Sequence, residues 1–323
     1  MRQTLTIVIC THNRAALLER ALASLNRAAR PQGWDVDLLV VANACTDATA
    51  SFLDRYARDA AARQWLPLRH AAEPVPGKSR ALNLATRMID AAAVAYVDDD
   101  HRVDEGYVKN VCRALAAYPD ASLFCGRIIP DWDGREPAWV HDTGPYRIYP
   151  LPVPRFDIGA RPMQVEPGTA TPGGGNLFLR TDLFSRVGDF SLDFGPTGHD
   201  LGGAEDIEWV KRAIAAGAIL QYDPSVVQYH YVDQERLRLS YLARKAYLRS
   251  SSIVRISPEF DAGARVPLYM YRKAGTYSIA ALGALSGAKR RFYVVRLAAV
   301  LGEMDGVRRR GAAGAGARPD NGG

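Results

Sequence analysis

Residues 93–100 read AVAYVDDD, five apolar or aromatic side chains in succession and then three aspartates. A run without polar alternation suits a strand buried on both faces, and its abrupt end delivers three carboxylates to a sheet edge. Two other runs end the same way. TLTIVIC at 4–10 leads into Thr11-His12-Asn13-Arg14, and VDLLVVA at 36–42 leads into Asn43-Ala44-Cys45-Thr46-Asp47. Helical patterns at about 14–29, 48–63 and 78–91 separate the runs. This alternation predicts an α/β fold with a Rossmann-like, mainly parallel sheet flanked by helices. Ligands of such sheets bind beyond the carboxyl ends of the strands, where these polar groups lie.

Three adjacent aspartates repel one another, and a divalent cation is the simplest compensation. Carboxylate oxygens favour Mg2+ or Mn2+ over zinc. In an extended chain Asp98 and Asp100 point the same way and would share the ion. Gly77-Lys78-Ser79-Arg80 opens a helix, a ready anion site, although it lacks the spaced glycines of an ATPase phosphate loop. Glu205-Asp206, followed by Glu208-Trp209, opens another helix after the glycine-containing stretch 195–203. A carboxylate there serves as a general base or simply caps the helix. His230 ends an apolar strand as either a structural imidazole or a metal ligand.

Residues 127–172 hold nine prolines with Trp132, Trp139, Tyr146, Tyr149 and Phe156, which reads as a functional loop, since linkers are poor in aromatics. Gly173-Gly174-Gly175-Asn176 then permits close approach of backbone and ligand. A short strand from Leu177, a helix at about 181–187 and strands near 218–222 and 226–230 follow. From 234 to 304 the pattern is of amphipathic helices. Residues 236–310 carry 16 basic against 4 acidic residues, a +12 segment on a remainder of −6, which suits an anionic partner for the one and a cation for the other. The expected organisation is a domain at 1–232, with a nucleotide-binding half to 100 and an acceptor half from 101 that includes the loop. A basic helical extension at 233–306 and a disordered tail at 307–323 follow. The first ten residues read as a strand and not a secretory leader, so a cytoplasmic location is expected. The four cysteines, in no zinc or redox spacing, read as reduced thiols.

In order, THNR at 11–14, VVANACTDAT at 40–49, PGKSRALN at 76–83, the aspartate triplet, GGGNLFLRTDLFSRVGDF at 173–190, GAEDIEW at 203–209 and DPSVVQYH at 223–230 resemble the family 2 glycosyltransferases of the GT-A fold. The resemblance implies that Thr11, Asn13, Arg14, Asn43 and Asp47 line a nucleoside pocket, with Lys78, Arg80, Asp98 and Asp99 also holding the donor. It makes Asp98, Asp100 and His230 ligands of Mn2+ or Mg2+. Gly174, Gly175, Asn176, Glu205 and Trp209 would shape the sugar and acceptor pocket, and Asp206 would be the base of an inverting transfer. The implied donor is a nucleotide-diphosphate sugar, and the implied acceptor a glycan, lipid-linked or small molecule of cell-envelope synthesis. Ala42 stands where many relatives carry an acidic residue against the nucleobase. Uridine is therefore expected on the family's habit alone, with guanosine and deoxythymidine open. Neither a Gln-x-x-Arg-Trp pattern nor membrane helices are present, so a single sugar per encounter is expected.

A dinucleotide-dependent oxidoreductase would need a glycine-rich loop after the first strand, and a nucleotidyltransferase on a similar sheet is disfavoured with it. A nucleotide-sugar-binding protein without chemistry would not need Asp98, Asp100, Asp206 and His230 together. The basic segment carries no nucleic-acid motif. Its mixture of Tyr, Leu and Ile with Arg and Lys suits peripheral contact with an anionic membrane, which is expected at residues 265–304.

Overall fold

The computed structural model describes residues 2–149, 151–166, 168, 170–192, 205–256 and 265–315. The chain forms two compact units, residues 1–131 with 154–231 and residues 132–153 with 232–323.

In the first unit β1 (Gln3–Thr11), α1 (Ala15–Arg27), β2 (Trp34–Asn43), α2 (Thr49–Asp59), β3 (Leu68–Glu73), α3 (Lys78–Met88) and β4 (Ala93–Tyr96) alternate, and their strands run parallel in the order β3-β2-β1-β4. Then come β5 (His101–Val103), α4 (Tyr107–Ala117), β6 (Leu123–Asp131), β7 (Met163–Gln164), β8 (Leu177–Arg180), α5 (Leu183–Val187), α6 (Glu205–Ala215) and β9 (Leu220–Tyr231). The sheet continues from β4 as β8-β6-β9-β5, with β7 on β9, and β8 is antiparallel to both its neighbours. Mixed but mainly parallel, the sheet is covered on both faces. Leu5, Ile7 and Ile9 of β1 meet Leu18, Leu22 and Leu25 of α1, while Val8 between them meets Leu39, Val41, Val94 and Ala81 on the other side. Alternate side chains thus enter two different cores, which is why the run carries almost no polar residue.

The two strands expected near 218–222 and 226–230 are one. β9 passes through a register shift opposite Cys125 and Arg127, a bulge that lets Pro224 sit within it. Gly126 lies at this shift, where an added Cβ would fall 2.1 Å from the Val226 carbonyl oxygen and 2.6 Å from Asn176 Nδ2. Gly126→Ala should lower the unfolding free energy by about 1–3 kcal/mol, read as a lower urea midpoint. An unchanged midpoint would contradict this close packing.

The second unit is helical, with α7 (Leu239–Ile256), α8 (Leu268–Leu282) and α9 (Gly287–Ala315). Val300, Met304 and Val307, spaced four and three apart, put one face of α9 against Val254 and Met270. That part of the 265–304 segment is therefore core. Gly302 and Gly306 bring α9 against the α7 backbone, since added Cβ atoms would lie 2.1 Å from Tyr247 O and 2.6 Å from Ser251 O. Residues 132–153, assigned from the sequence to the acceptor half, pack here. Val140 and Val153 cluster with Val232 and Leu237, Arg291 reaches Asp142 at 3.3 Å, and Tyr146 meets Phe292 and Tyr293. Their apolar side chains find partners that the sheet does not offer. The helix also passes the expected tail boundary at 307 and runs to Ala315, in line with its alanine content and the Arg309–Asp305 pair at 2.7 Å. Among the described residues no helix is long and apolar enough to cross a membrane.

Candidate active site

After β4 the chain turns instead of remaining extended, and His101 N–H donates to Asp98 O at 3.0 Å. The turn breaks the alternation expected of the three aspartates. Asp98 faces Lys78, with Oδ1 at 3.5 Å from Nζ. Asp99 turns inward, 4% exposed, and accepts from Thr11 Oγ1 at 2.7 Å and Arg14 Nη1 at 2.9 Å. Asp100 faces Arg14 at 3.0 Å and His230 Nε2 at 3.8 Å. Burial raises the Asp99 pKa, with Arg14 opposing it. Asp98 behaves oppositely, because Lys78, His101 and His230 outweigh its burial and hold its carboxyl below the usual range.

β5 runs antiparallel to β9 with His101 opposite His230, and this register sets the two imidazoles 4.9 Å apart between ring centres. Asp100, His101 and His230 offer ligand atoms that all lie within 4.8 Å of one another. Asp100 and His230 of the expected ligand set fall in this group together with His101, which the sequence reading did not single out, and Asp98 lies beside it with Oδ2 3.9 Å from His101 Nε2. His101 Nδ1 is 2.6 Å from Gln228 Oε1, and the Gln228 amide nitrogen shares its two hydrogens among Tyr96 O, Tyr107 Oη and Asn176 Oδ1 at 2.9–3.0 Å. With its nitrogen committed as a donor, Gln228 presents only its oxygen, so Nδ1 carries a proton, and Nε2 is the ring atom that faces Asp98 and Asp100 at 3.9 Å. His230 is oriented likewise by Nδ1 against Tyr231 O at 2.6 Å. Such outer hydrogen bonds fix the tautomer a metal-ligating histidine needs. Two imidazoles and a carboxylate fit a divalent transition ion.

The Gly174-Gly175 turn joins this group to α6. A Cβ on Gly174 would lie 2.9 Å from Asp206 Oδ2, and one on Gly175 would lie 2.5 Å from Asp98 Oδ2 and 2.7 Å from His101 Cε1. The two bare glycines are what let carboxylates from distant parts of the chain close on one turn. Asp206 accepts from Gly174 N–H, and its Oδ1 from Ile207 N–H at 2.7 Å. Lys78 Nζ links Glu205 Oε1 to Asp98, 3.5 Å from each. Burial pulls the Lys78 pKa down, but Asp98, Asp206 and Glu205 more than offset it and hold the ammonium charged. Glu205 is 1% exposed, its Oε2 has no hydrogen-bond partner among the described residues, and burial raises its pKa. A small cavity opens among Lys78, Asp98, Gly174 and Asp206 over Tyr96, Phe190 and Trp209. Burial pushes the Cys10 thiol, which also lines it, up to about 12, too high for a thiolate nucleophile.

Several of the expected ligand-binding groups make hydrogen bonds within the protein. Asn176 is 2% exposed, and its nitrogen donates to Arg127 O and Val226 O while its oxygen accepts from Gln228. Through Gln228 it braces His101. Trp209 is fully buried against Phe190 with Nε1 on Gly188 O at 2.9 Å, so it reaches only the cavity floor. Asn43 ties Gly77 N–H and the Glu73 and Val75 carbonyls together, Asn13 accepts from Thr46 and Asp47 N–H, and Asp47 caps Thr49 and Ala15. These residues build the strand-end loops. Arg80 is exposed on α3 and makes no ion pair among the described residues. The stretch 195–203 lies outside the described residues.

A sheet of this topology, with a carboxylate–imidazole group at its strand ends and a second carboxylate pair at the head of α6, is that of a GT-A glycosyltransferase. The chain belongs to glycosyl transferase family 2, whose profile matches residues 6–188. No curated protein sequence matches it. Among solved structures it is similar to S. aureus TarS 1–349 in complex with UDP, at 14% identity and TM-score 0.52 over 99% of this chain and 93% of that one. It is also similar to the mannosyltransferase PcManGT of Pyrobaculum calidifontis in complex with GDP-Man and Mn2+, at 19% identity and TM-score 0.52 over 99% and 77%. Longer TarS matches at 13% identity and TM-score 0.51, where the alignment spans 96% of this chain and 55% of TarS.

Proposed function

We propose that the chain transfers a single sugar, with inversion, from a nucleotide-diphosphate sugar to an acceptor hydroxyl in cell-envelope glycan or glycolipid synthesis, with Asp206 as the base. The reading rests on one observation. The Gly174-Gly175 turn holds Asp206 on one side and Asp98 with His101 on the other, so a base and a charge-stabilising cluster share a single opening. Asp206 takes the acceptor proton as the oxygen attacks, and attack from the face opposite the leaving group inverts the anomeric carbon. Lys78 sits where negative charge develops on the departing diphosphate, and Arg14 supports the triplet from the other side. Asp100, His101 and His230 would hold a divalent ion, which supplies further stabilisation of that leaving charge when bound. Glu205 orients Lys78 and, with it, the sugar.

Uridine is the favoured base, in keeping with the UDP and UDP-GlcNAc complexes of TarS, while the GDP-Man complex of PcManGT keeps guanosine as the alternative. A thermal-shift comparison of UDP, GDP and dTDP, each with and without Mn2+, tests donor and metal together. A nucleotide at a hundred times its Kd adds about 2.7 kcal/mol, and UDP with Mn2+ should raise the melting temperature most. A larger response to GDP would reassign the base.

The lipid-linked acceptor is reached at the cytoplasmic face of a membrane. Leu268, Ile279, Leu282 and Leu285 are 73–103% exposed on or just after α8, and basic side chains lie on the same helix at Arg272 and Lys273. Such a mixture binds anionic interfaces through apolar area and charge together. Flotation with phosphatidylglycerol vesicles should show binding at low salt that falls several-fold at high salt. Equal recovery at both would remove the membrane from this reading.

A further inference from the structure

The second unit carries a groove of about 870 Å3 between residues 143–152 and facing positions of α7 and α9. Its lining is of two kinds. Leu151, Leu242, Phe292 and Val295 supply apolar wall, and Arg147, Lys245, Arg249 and Arg296 bring four cations to the same space, with no carboxylate among the lining residues. None of the four makes an ion pair among the described residues. Arg147 and Arg296 instead lie over the rings of Tyr149 and Phe292 at 5.2 and 5.1 Å. Lys245 is half-buried, and burial together with Arg236 and Arg249 lowers its pKa, as befits an ammonium without a counter-ion.

Four like charges gathered around one hollow repel one another, and an anion entering it relieves that repulsion. The apolar wall makes a second demand, for hydrocarbon. A free anion would leave the wall wet, and a purely apolar molecule would leave the cations unmatched. We propose that this groove binds an amphiphilic phosphate, its head held by Lys245, Arg249, Arg147 and Arg296 and its hydrocarbon chain laid along Leu151, Leu242, Phe292 and Val295. The concave shape selects a single tailed molecule over a bilayer face. That this molecule carries the sugar-accepting group rests on the transferase reading; that it binds does not.

The test titrates the full chain with farnesyl phosphate below its micelle concentration, by calorimetry, with inorganic phosphate and farnesol as half-probes and phosphatidylglycerol vesicles as a surface control. Farnesyl phosphate should bind at least tenfold more tightly than either half-probe, and saturating UDP should not displace it. Lys245→Glu combined with Arg249→Glu should weaken it tenfold or more. Because reversing two charges on a packed helix risks the fold, Arg147→Glu on the exposed stretch is the second variant, expected to weaken binding at least threefold with unchanged circular dichroism. Affinity matched by inorganic phosphate, displacement by UDP, indifference to Arg147→Glu, or binding to vesicles alone would each overturn the proposal. Failure of the donor reading registers elsewhere, as an absence of thermal stabilisation by every nucleoside diphosphate.

Discussion

Asp206→Asn is expected to lower kcat by about 10²- to 10⁴-fold while leaving nucleotide affinity near its original level. The substitution removes the only change of charge state the proposed step needs at this residue, namely acceptance of the acceptor proton. It leaves the Lys78 link between Asp98 and Glu205 intact. The two carboxylate oxygens accept from two different backbone donors, Gly174 N–H and Ile207 N–H. An amide keeps one acceptor only, so a stability loss of about 1 kcal/mol accompanies the kinetic one. Donor binding read by the UDP-dependent thermal shift separates the two effects. Near-normal turnover in a variant that melts normally would take the base role away from Asp206.

The second large effect is expected at His101. Removing its imidazole leaves Asp100 and His230 as the remaining members of the three-residue group, and Mn2+ affinity in the presence of UDP should fall by about 100-fold or more, beyond the roughly 10- to 100-fold usual when only an outer-shell partner is lost. Free Mn2+ measured by electron paramagnetic resonance reads this without any turnover. His101→Ala binding Mn2+ as tightly as the original chain would return the role to Asp98. Gln228→Leu should weaken Mn2+ in the same direction but less, because it frees the Nδ1 proton without removing the ligand. The imidazole pair also implies that Mn2+ outcompetes Mg2+, whose preference is for oxygen ligands and retained waters.

What could be read from the chain follows the physics of burial. β1, β2 and β4 are buried on both faces, so their apolar runs mark them plainly, and α1, α2 and α3 fall within a few residues of their expected spans. β3, with its half-exposed pattern, and β6, at the head of the proline-rich stretch, give no such signal. The gathering of Lys78, Asp98, Glu205 and Asp206 was legible through motif order. His101 was not, because treating 98–100 as extended hides the turn that carries the chain into β5. The signal was nonetheless there: a histidine directly after three aspartates, in a protein whose last strand also ends in one. The interior partners of Asn176 were hidden for a different reason. A polar side chain beside a glycine turn looks the same in sequence whether it faces a ligand or three interior partners, and only the Gln228 network distinguishes them.

The stretch from Trp132 to Val153 leaves the sheet unit and returns to it, having borrowed its apolar partners from segments a hundred residues further on. Shortening the protein after Tyr231 to obtain a minimal catalytic piece would therefore strand Val140, Val153 and the tryptophans beside them in water, and insolubility of that fragment would say nothing against the sheet itself. A usable fragment needs both cuts at once: the helices removed and the excursion replaced by a short polar bridge.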